Sequence, residues 1–195
     1  MILSISLDYP IPEVQDFGRR PTTPKCISAL LYLIDKYSTG NILEIGTWYG
    51  KTTYELAVRY PDKTVYTIDY IGKDLKLNPE INRGLIKEKK ELCKYAKKLK
   101  NVKFLYKDSK KFNFNSFKEV DFIFIDGDHS FEGALKDTQK SIKYLEENKG
   151  GIIAFHDIRV GHTEIPKLMR YLSDNIGYIV HFFINTNVGF IKIKK

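Results

Sequence analysis

Two carboxylates and an imidazole follow one of the most apolar stretches of the chain. The segment FIFIDGDHSFEG (122–133) passes from four apolar residues to Asp126, Asp128 and His129 within four positions. Such side chains can act in general acid–base catalysis, coordinate a divalent cation, or cap a helix. The capping role stays open because Ser130 is a good first residue for a helix. The segment alone does not decide among the three.

Polar residues also follow four other strand-like stretches. The five stretch ends are EIGTWYGKTT (44–53), Asp69, KDS (107–109), DGDH (126–129) and HD (156–157). In open parallel sheets, ligands bind outside the carboxyl ends of the strands, near the point where the strand order reverses. We therefore predict a ligand-binding cleft formed by these five ends.

The loop after the first of these strands indicates the class of ligand. Glu44, Gly46 and Gly50 form the pattern E-x-G-x-x-x-G, which matches neither the dinucleotide fingerprint nor the phosphate loop. Gly46 would let the backbone turn tightly beside a ligand, and Gly50 would let the next helix approach. Asp69 follows Gly46 by 23 residues, which suits an acid that accepts hydrogen bonds from a ribose diol. The pattern favours a nucleoside bound without a pyrophosphate.

Alternating strand and helix patterns must position these residues. The strand patterns are 41–45, 64–69, 102–106, 120–126, 150–157, 178–184 and 188–194, and the helical patterns are 23–37, 51–60, 83–100, 130–148 and 164–172. Continuous apolar runs and strand–helix alternation predict a doubly wound α/β fold with a mostly parallel, seven-stranded sheet. Only three residues separate the last two strands, so one antiparallel strand is expected near the C-terminal edge. We expect one domain, 1–195, in which residues 1–38 form an N-terminal extension and helix.

Composition and cysteine use set limits on the class of protein. A chain of 195 residues with 43% hydrophobic and 29% charged residues is typical of a soluble globular domain. The start resembles no signal peptide, and no apolar run approaches the length of about 20 residues that a membrane span needs. The two cysteines, Cys26 and Cys93, form no C-x-x-C motif. These features predict a cytoplasmic protein with no membrane partner.

The net charge of +8 raises the question of a nucleic-acid partner. Most of the excess lies in residues 83–100, which hold eight Lys or Arg and two Glu. The apolar residues of this segment recur at helical spacing, which predicts an amphipathic helix with a basic face toward solvent. A solvated surface is favoured over an RNA or anionic-substrate patch, because single basic faces are common.

The chain resembles the class I S-adenosylmethionine-dependent methyltransferases. LEIGTWYGKTT (43–53) is similar to their glycine-rich first motif, in the variant of catechol- and caffeoyl-CoA-type O-methyltransferases, and IDGDHSFEG with GGIIAFHD resembles methyltransferase family 24. The resemblance implies a Rossmann-like methyltransferase fold that binds S-adenosyl-L-methionine. It implies that Gly46, Thr47 and Gly50 line the methionine end of the cofactor, with Glu44 behind them, that Asp69 holds the ribose, and that Asp108 and Ser109 face the adenine.

The same resemblance suggests how the opening segment acts. It implies a divalent cation held by Asp126, His156 and Asp157, and a general base at His129, which follows Asp126 in a D-x-x-H pattern. His156 departs from the oxygen ligands that Mg²⁺ prefers, so Mn²⁺, Fe²⁺ or Zn²⁺ would suit the set at least as well as Mg²⁺. Alternatively, His156 is a second base or a substrate contact, and Asp126 and Asp128 bind only the amino group of the cofactor.

These features together predict an S-adenosylmethionine-dependent methyltransferase that methylates a hydroxyl of a small molecule, with His129 as base and Asp126 beside it. One rival is an RNA or protein methyltransferase that uses residues 83–100, since the chain has no segment left to cover the cleft. A second is a non-catalytic nucleoside-binding domain. A small-molecule acceptor is favoured over nucleic acid, and a second subunit in a homodimer could close the cleft. Specificity is expected from the loops 70–83 and 158–164.

Overall fold

A single mixed sheet with helices on both faces organises the chain. The computed structural model describes residues 1–15, 23–70, 89–161 and 163–195. The strands are β1 (Ile2–Ile5), β2 (Asn41–Ile45), β3 (Val65–Asp69), β4 (Val102–Tyr106), β5 (Val120–Ile125), β6 (Gly151–Phe155), β7 (Val180–Phe183) and β8 (Gly189–Ile193). The helices are α1 (Pro24–Tyr37), α2 (Lys51–Arg59), α3 (Phe131–Glu147) and α4 (Ile165–Asp174).

The sheet order places the predicted strand ends side by side. The order is β1-β7-β8-β6-β5-β2-β3-β4, and every described pair is parallel except those of β8 with β6 and β7. The mostly parallel α/β sheet and its antiparallel strand are therefore confirmed. The carboxyl ends of β2, β3, β4, β5 and β6 meet at one edge because these strands run in the same direction.

The predicted count of seven strands is wrong, because the N-terminal extension adds an eighth. Residues Ile2–Ile5 form β1, which pairs in parallel with β7 and becomes the edge of the sheet. As a result, the antiparallel strand β8 is the third strand from that edge. A four-residue strand whose side chains are mostly exposed carries too little periodicity to be separated from a loop by pattern alone.

Two apolar layers hold the helices against the sheet. One buried cluster joins α3 and α4 to one face, and the other joins α1 and α2 to the opposite face. Side-chain caps fix two of the helix starts: the Thr23 hydroxyl accepts from the backbone nitrogen of Cys26 (3.3 Å), and the Ser130 hydroxyl accepts from that of Gly133 (3.1 Å). None of the helices in the described residues is long and apolar enough to cross a membrane.

The predicted basic helix over 83–100 is not present in the part of it that the structure describes. Residues 89–100 form one short 3₁₀ turn, Lys89–Glu91, followed by further turns. Cys93 has a left-handed φ of 55°, and its nitrogen donates to the Trp48 carbonyl (2.8 Å) while that of Tyr95 donates to the Tyr49 carbonyl (3.1 Å). These donors serve a tertiary contact instead of a helix, so local propensity is overridden. Residues 71–88, which include most of the loop 70–83, lie outside the described residues. His162, in the loop 158–164, lies outside them as well.

Candidate active site

Gly46 allows the loop after β2 to lie directly against the turn after β5. Its φ is +96°, and a Cβ built on it would meet the Asp126 carbonyl oxygen at 2.1 Å. The backbone around it is fixed, because the Asp126 nitrogen donates to the Ile45 carbonyl (2.8 Å) and the Gly46 nitrogen donates to the Ile68 carbonyl (3.0 Å). Any side chain at this position would therefore push apart the two loops that form the cleft.

Gly50 brings the described part of the basic segment against the same loop. Its φ is +79° at the start of α2, and an added Cβ would lie 3.0 Å from the Cα of Cys93. Thr47, between the two glycines, shares a hydrogen bond of 2.5 Å with the Thr67 hydroxyl on β3. The loop is therefore held from both sides.

Glu44 is a buried acid beneath this loop. Its carboxyl accepts hydrogen bonds from the hydroxyls of Thr53 and Thr67, and only 1% of the residue is exposed. Burial raises the pKa of Glu44 to about 8, against the opposing effect of the two hydroxyl donors. Glu44 thus supports the loop from inside the protein.

We expect Glu44→Gln to gain stability relative to the native protein as pH rises from about 4.5 to about 8. In this range the folded state holds a proton that the unfolded state releases, so ionisation of the unfolded chain progressively disfavours folding. Gln accepts the same two hydroxyl donors and does not ionise. Urea unfolding at several pH values should show the difference growing by no more than about 1.4 kcal/mol per pH unit. Parallel pH curves for the two proteins would contradict the assignment.

Asp69 ends β3 beside the loop 46–50, which we call the glycine loop. Its two carboxylate oxygens accept from the backbone nitrogens of Trp48 and Tyr70, each at 2.7 Å. Burial raises its pKa, while these backbone donors act in the opposite direction. Carboxylate oxygens can each accept more than one hydrogen bond, so this side chain keeps the capacity to accept from a diol.

Next to Asp69, the ends of β3 and β4 border a cavity of about 620 Å³. The residues that line it are Tyr70, Tyr106, Lys107, Asp108, Lys111, Phe112 and Asn113. Asp108 therefore lies on its wall. Ser109 is not among the lining residues, and its hydroxyl donates instead to the buried Asp137 on α3 (2.7 Å). Ser109 thus fixes the loop from behind.

Asp126, His129, His156 and Asp157 lie together at the ends of β5 and β6. His129 Nε2 lies 3.4 Å from Asp126 Oδ1 and 3.5 Å from Asp157 Oδ2. His156 Nδ1 lies 3.4 Å from Asp126 Oδ1 and 3.0 Å from Asp157 Oδ1. Each imidazole therefore contacts both carboxylates, and we call these four residues the His–Asp cluster.

The charges of the His–Asp cluster stabilise one another. Burial opposes the charged form of Asp126, but the two imidazoles outweigh it and lower its pKa to about 2. Burial likewise opposes the charged form of His156, but the neighbouring carboxylates raise its pKa to about 12. A hydrogen bond that the His129 ring donates to Asp126 raises the pKa of His129, whose side chain is 42% exposed against 20% for His156. His129 is thus the imidazole that solvent and an acceptor can reach.

The grouping of possible metal ligands differs in one member from the set inferred from sequence. One ligand atom each from Asp126, His129 and Asp157 lie within 4.8 Å of one another. His156 contacts both of these carboxylates but does not belong to this trio. Asp157 has a left-handed φ of 55°, a conformation that costs energy in a residue other than glycine and is frequent at functional sites. The D-x-x-H spacing was the sequence signal that could have included His129 among the ligands.

Sequence reasoning missed the contact behind His156. The buried thiol of Cys26 lies close enough to the His156 ring to raise its pKa, and that thiol accepts from the Thr23 hydroxyl (3.0 Å). Cys26 lies in the first turn of α1, so this contact joins α1 to the end of β6. Nothing in the sequence spacing indicates it, because it depends on how α1 packs across the sheet.

Asp128 has the structural role that the sequence left open. Its carboxylate accepts from the backbone nitrogen of Ser130 (3.0 Å) and forms a salt bridge of 2.9 Å with Lys110. The side chain therefore fixes the turn and links it to the loop after β4. Glu164 fixes the other side of this turn, since its nitrogen donates to the His129 carbonyl (3.0 Å) and its carboxylate accepts from the Phe131 nitrogen (2.9 Å).

Comparisons with known proteins agree with this fold. A family model described as a methyltransferase domain matches residues 43–158, more than half of the chain. A Staphylococcus aureus protein assigned as a caffeoyl-CoA O-methyltransferase has a similar structure, with 20% identity, a TM-score of 0.59, and coverage of 95% of this chain and 86% of that one. An SAH-bound methyltransferase from Podospora anserina has 16% identity, a TM-score of 0.58, and coverage of 89% and 80%.

A third solved structure is MycE, a methyltransferase of the mycinamycin biosynthetic pathway in complex with Mg and SAH. It shares 14% identity at a TM-score of 0.58, over 92% of this chain and 50% of that one. At these identities the three structures support the fold alone. No sequence among curated proteins matches significantly.

Proposed function

The chain belongs to the methyltransferase family whose domain model matches residues 43–158 and is an S-adenosylmethionine-dependent methyltransferase, and we propose that it methylates a hydroxyl oxygen of a small molecule. The observation that carries the proposal is the position of His129. Its half-exposed imidazole contacts two carboxylates, at the edge of the sheet where the glycine loop after β2 meets the turn after β5.

His129 is proposed as the general base. A hydroxyl oxygen becomes a strong nucleophile only as its proton leaves, and an imidazole near neutral pKa is suited to take that proton. Asp126 and Asp157 orient the ring and stabilise the imidazolium that forms, since each lies within 3.5 Å of Nε2. The raised pKa of His129 implies that the neutral, basic form grows as pH increases.

The cofactor is proposed to lie across the glycine loop. S-adenosylmethionine supplies an electrophilic methyl group from its sulfonium. Gly46, Thr47 and Gly50 would line the methionine end of the site, with Glu44 behind them. Asp126 would accept from the amino group. Asp69 keeps acceptor capacity for the ribose hydroxyls, and Asp108 lies on the wall of the adjacent cavity, where the adenine would bind.

The His–Asp cluster also fits a divalent cation. Asp126, His156 and Asp157 are proposed to hold it, because His156 Nδ1 approaches one oxygen of each carboxylate, and this choice leaves His129 free as base. The cation would lower the pKa of the acceptor hydroxyl and fix its position. Imidazole and carboxylate ligands suit Mn²⁺, Fe²⁺ or Zn²⁺ at least as well as Mg²⁺, and MycE, of similar fold, binds Mg.

Mass spectrometry of methylated products tests the proposal. The protein is incubated with S-adenosylmethionine carrying a deuterated methyl group and with panels of catechols, sugar hydroxyls and matched amines. We expect a labelled methyl group on one of the hydroxyl compounds. The deoxy analogue of that compound, in which hydrogen replaces the hydroxyl group, should not be labelled. Methylation confined to amines, or to RNA or protein added in parallel, would overturn the assignment of a small-molecule hydroxyl.

A further inference from the structure

Exposed apolar side chains concentrate along one edge of the sheet. Nine large hydrophobic residues are exposed in the described part of the chain, and six of them lie either within residues 1–3, at the start of β1, or within residues 176–184, between α4 and the residue that follows β7. These six are Met1, Ile2, Leu3, Ile176, Ile179 and Ile184. A concentration of this kind is characteristic of an interaction surface rather than of scattered surface residues.

The backbone of β1 offers a free row of hydrogen-bonding groups along this edge. Its pairing with β7 uses the carbonyls of Met1 and Ile5, which accept from Val180 (3.0 Å) and Ile184 (2.9 Å). Successive residues of a strand direct their backbone groups to opposite sides, so those of Ile2 and Ser4 point away from β7. Within the described residues, no further strand pairs with β1.

The two edges of the sheet differ in how they are protected. At the other edge, β4 carries the exposed Lys103 and is followed by the exposed Lys107, which oppose pairing with a second strand. Residues 1–7, which include β1, carry no charged side chain, no proline and no bulge. Charged side chains, prolines and bulges commonly protect natural edge strands, so an edge without them is open to pairing with a partner.

We propose that β1 pairs antiparallel with β1 of a second copy of this chain, joining two sheets across a two-fold axis. The charge distribution favours a second copy, because a chain of net charge +8 repels itself on every lysine-rich face, whereas residues 1–7 carry no charged side chain. With Leu3 on the axis, the outward backbone groups of Ile2 face those of Ser4 of the partner subunit. The contact is isologous, so it closes as a dimer.

The interface is separate from the cleft. The cleft lies at the carboxyl ends of β2 to β6, whereas β1 is the outer strand beyond β7 and β8. The dimer therefore does not depend on the proposed reaction.

Sedimentation velocity from about 1 to about 100 µM tests the proposal, a range that covers ordinary specific dimers. We expect the native protein to sediment at twice the 22.7 kDa chain mass. Ile2→Lys should weaken the dimer at least about tenfold, because it places two like charges across the axis. The matched control is Val58→Lys, since Val58 on α2 is equally exposed at 43% and should leave the dimer intact.

Ser4→Pro is a second variant, which removes an outward N–H and should also weaken the dimer. Thermal melts confirm that each variant folds. A native protein that is monomeric at 100 µM would overturn the proposal, and so would folded Ile2→Lys and Ser4→Pro variants that dimerise like the native protein.

Discussion

His129→Ala is expected to lower kcat by about 10²–10⁴-fold, which is the usual contribution of a general base. Binding of S-adenosylhomocysteine should not change, because the proposed cofactor site lies on the glycine loop, to which His129 does not belong. The matched control is Glu132→Ala, an exposed residue in the first turn of α3, which should keep the native kcat. Rates are measured on the acceptor found by mass spectrometry.

The pH profile gives an independent check on His129. In the native protein kcat should rise with pH through a pKa above the usual histidine range, because Asp126 favours the protonated ring. This limb should disappear in His129→Ala. A variant that retains the native rate, or the same limb, would remove His129 from the role of base.

Asp126→Asn is expected to cause the second large loss, because this carboxylate contacts both imidazoles. The substitution keeps the shape but removes the charge that favours both imidazolium forms and that would bind a cation. We expect kcat to fall by at least about 10²-fold, through lost orientation of the base and lost electrostatic stabilisation. Any thermal stabilisation by Mn²⁺ or Zn²⁺ should be lost in the same variant.

Asp128→Asn is the matched control for this experiment. Asp128 lies two residues away, and its described contacts are with Ser130 and Lys110. Its kcat should stay near the native value, with the response to metal unchanged. Equal effects of the two substitutions would show that the turn acts only as a structural element. Metal stabilisation that survives Asp126→Asn but not His129→Ala would place the cation elsewhere in the His–Asp cluster.

The parts of the fold that depend on burial could be predicted from sequence. The apolar runs of β2, β5 and β6 indicated strands covered on both faces, and the polar residues after them indicated the cleft edge. These inferences hold because desolvation acts on every residue of a buried strand.

The parts that depend on tertiary contacts could not be predicted. Residues 89–100 have a helical pattern, but the nitrogens of Cys93 and Tyr95 pair with the glycine loop, so the segment turns instead. Asp137 is another such case. Polar residues on α3 are expected to face solvent, yet Asp137 is buried against Ser109, and burial raises its pKa to about 6.

The candidate site shows the same division. The sequence indicated which residues lie at the ends of β5 and β6, since strand direction decides that. It did not indicate that His129 and His156 both contact Asp126 and Asp157, because ring orientation depends on χ angles, which strand order does not determine.

Calorimetric titration with S-adenosylhomocysteine tests whether the loop after β2 and Asp69 bind the cofactor. We expect one site per chain and an affinity at least about tenfold weaker in Asp69→Ala, because hydrogen bonds to a charged group contribute about 1.5–3 kcal/mol. Asp62→Ala, at an exposed acid in the turn before β3, should bind like the native protein. Absence of binding by the native protein, or equal affinities in the two variants, would show that this loop and Asp69 do not form the cofactor site.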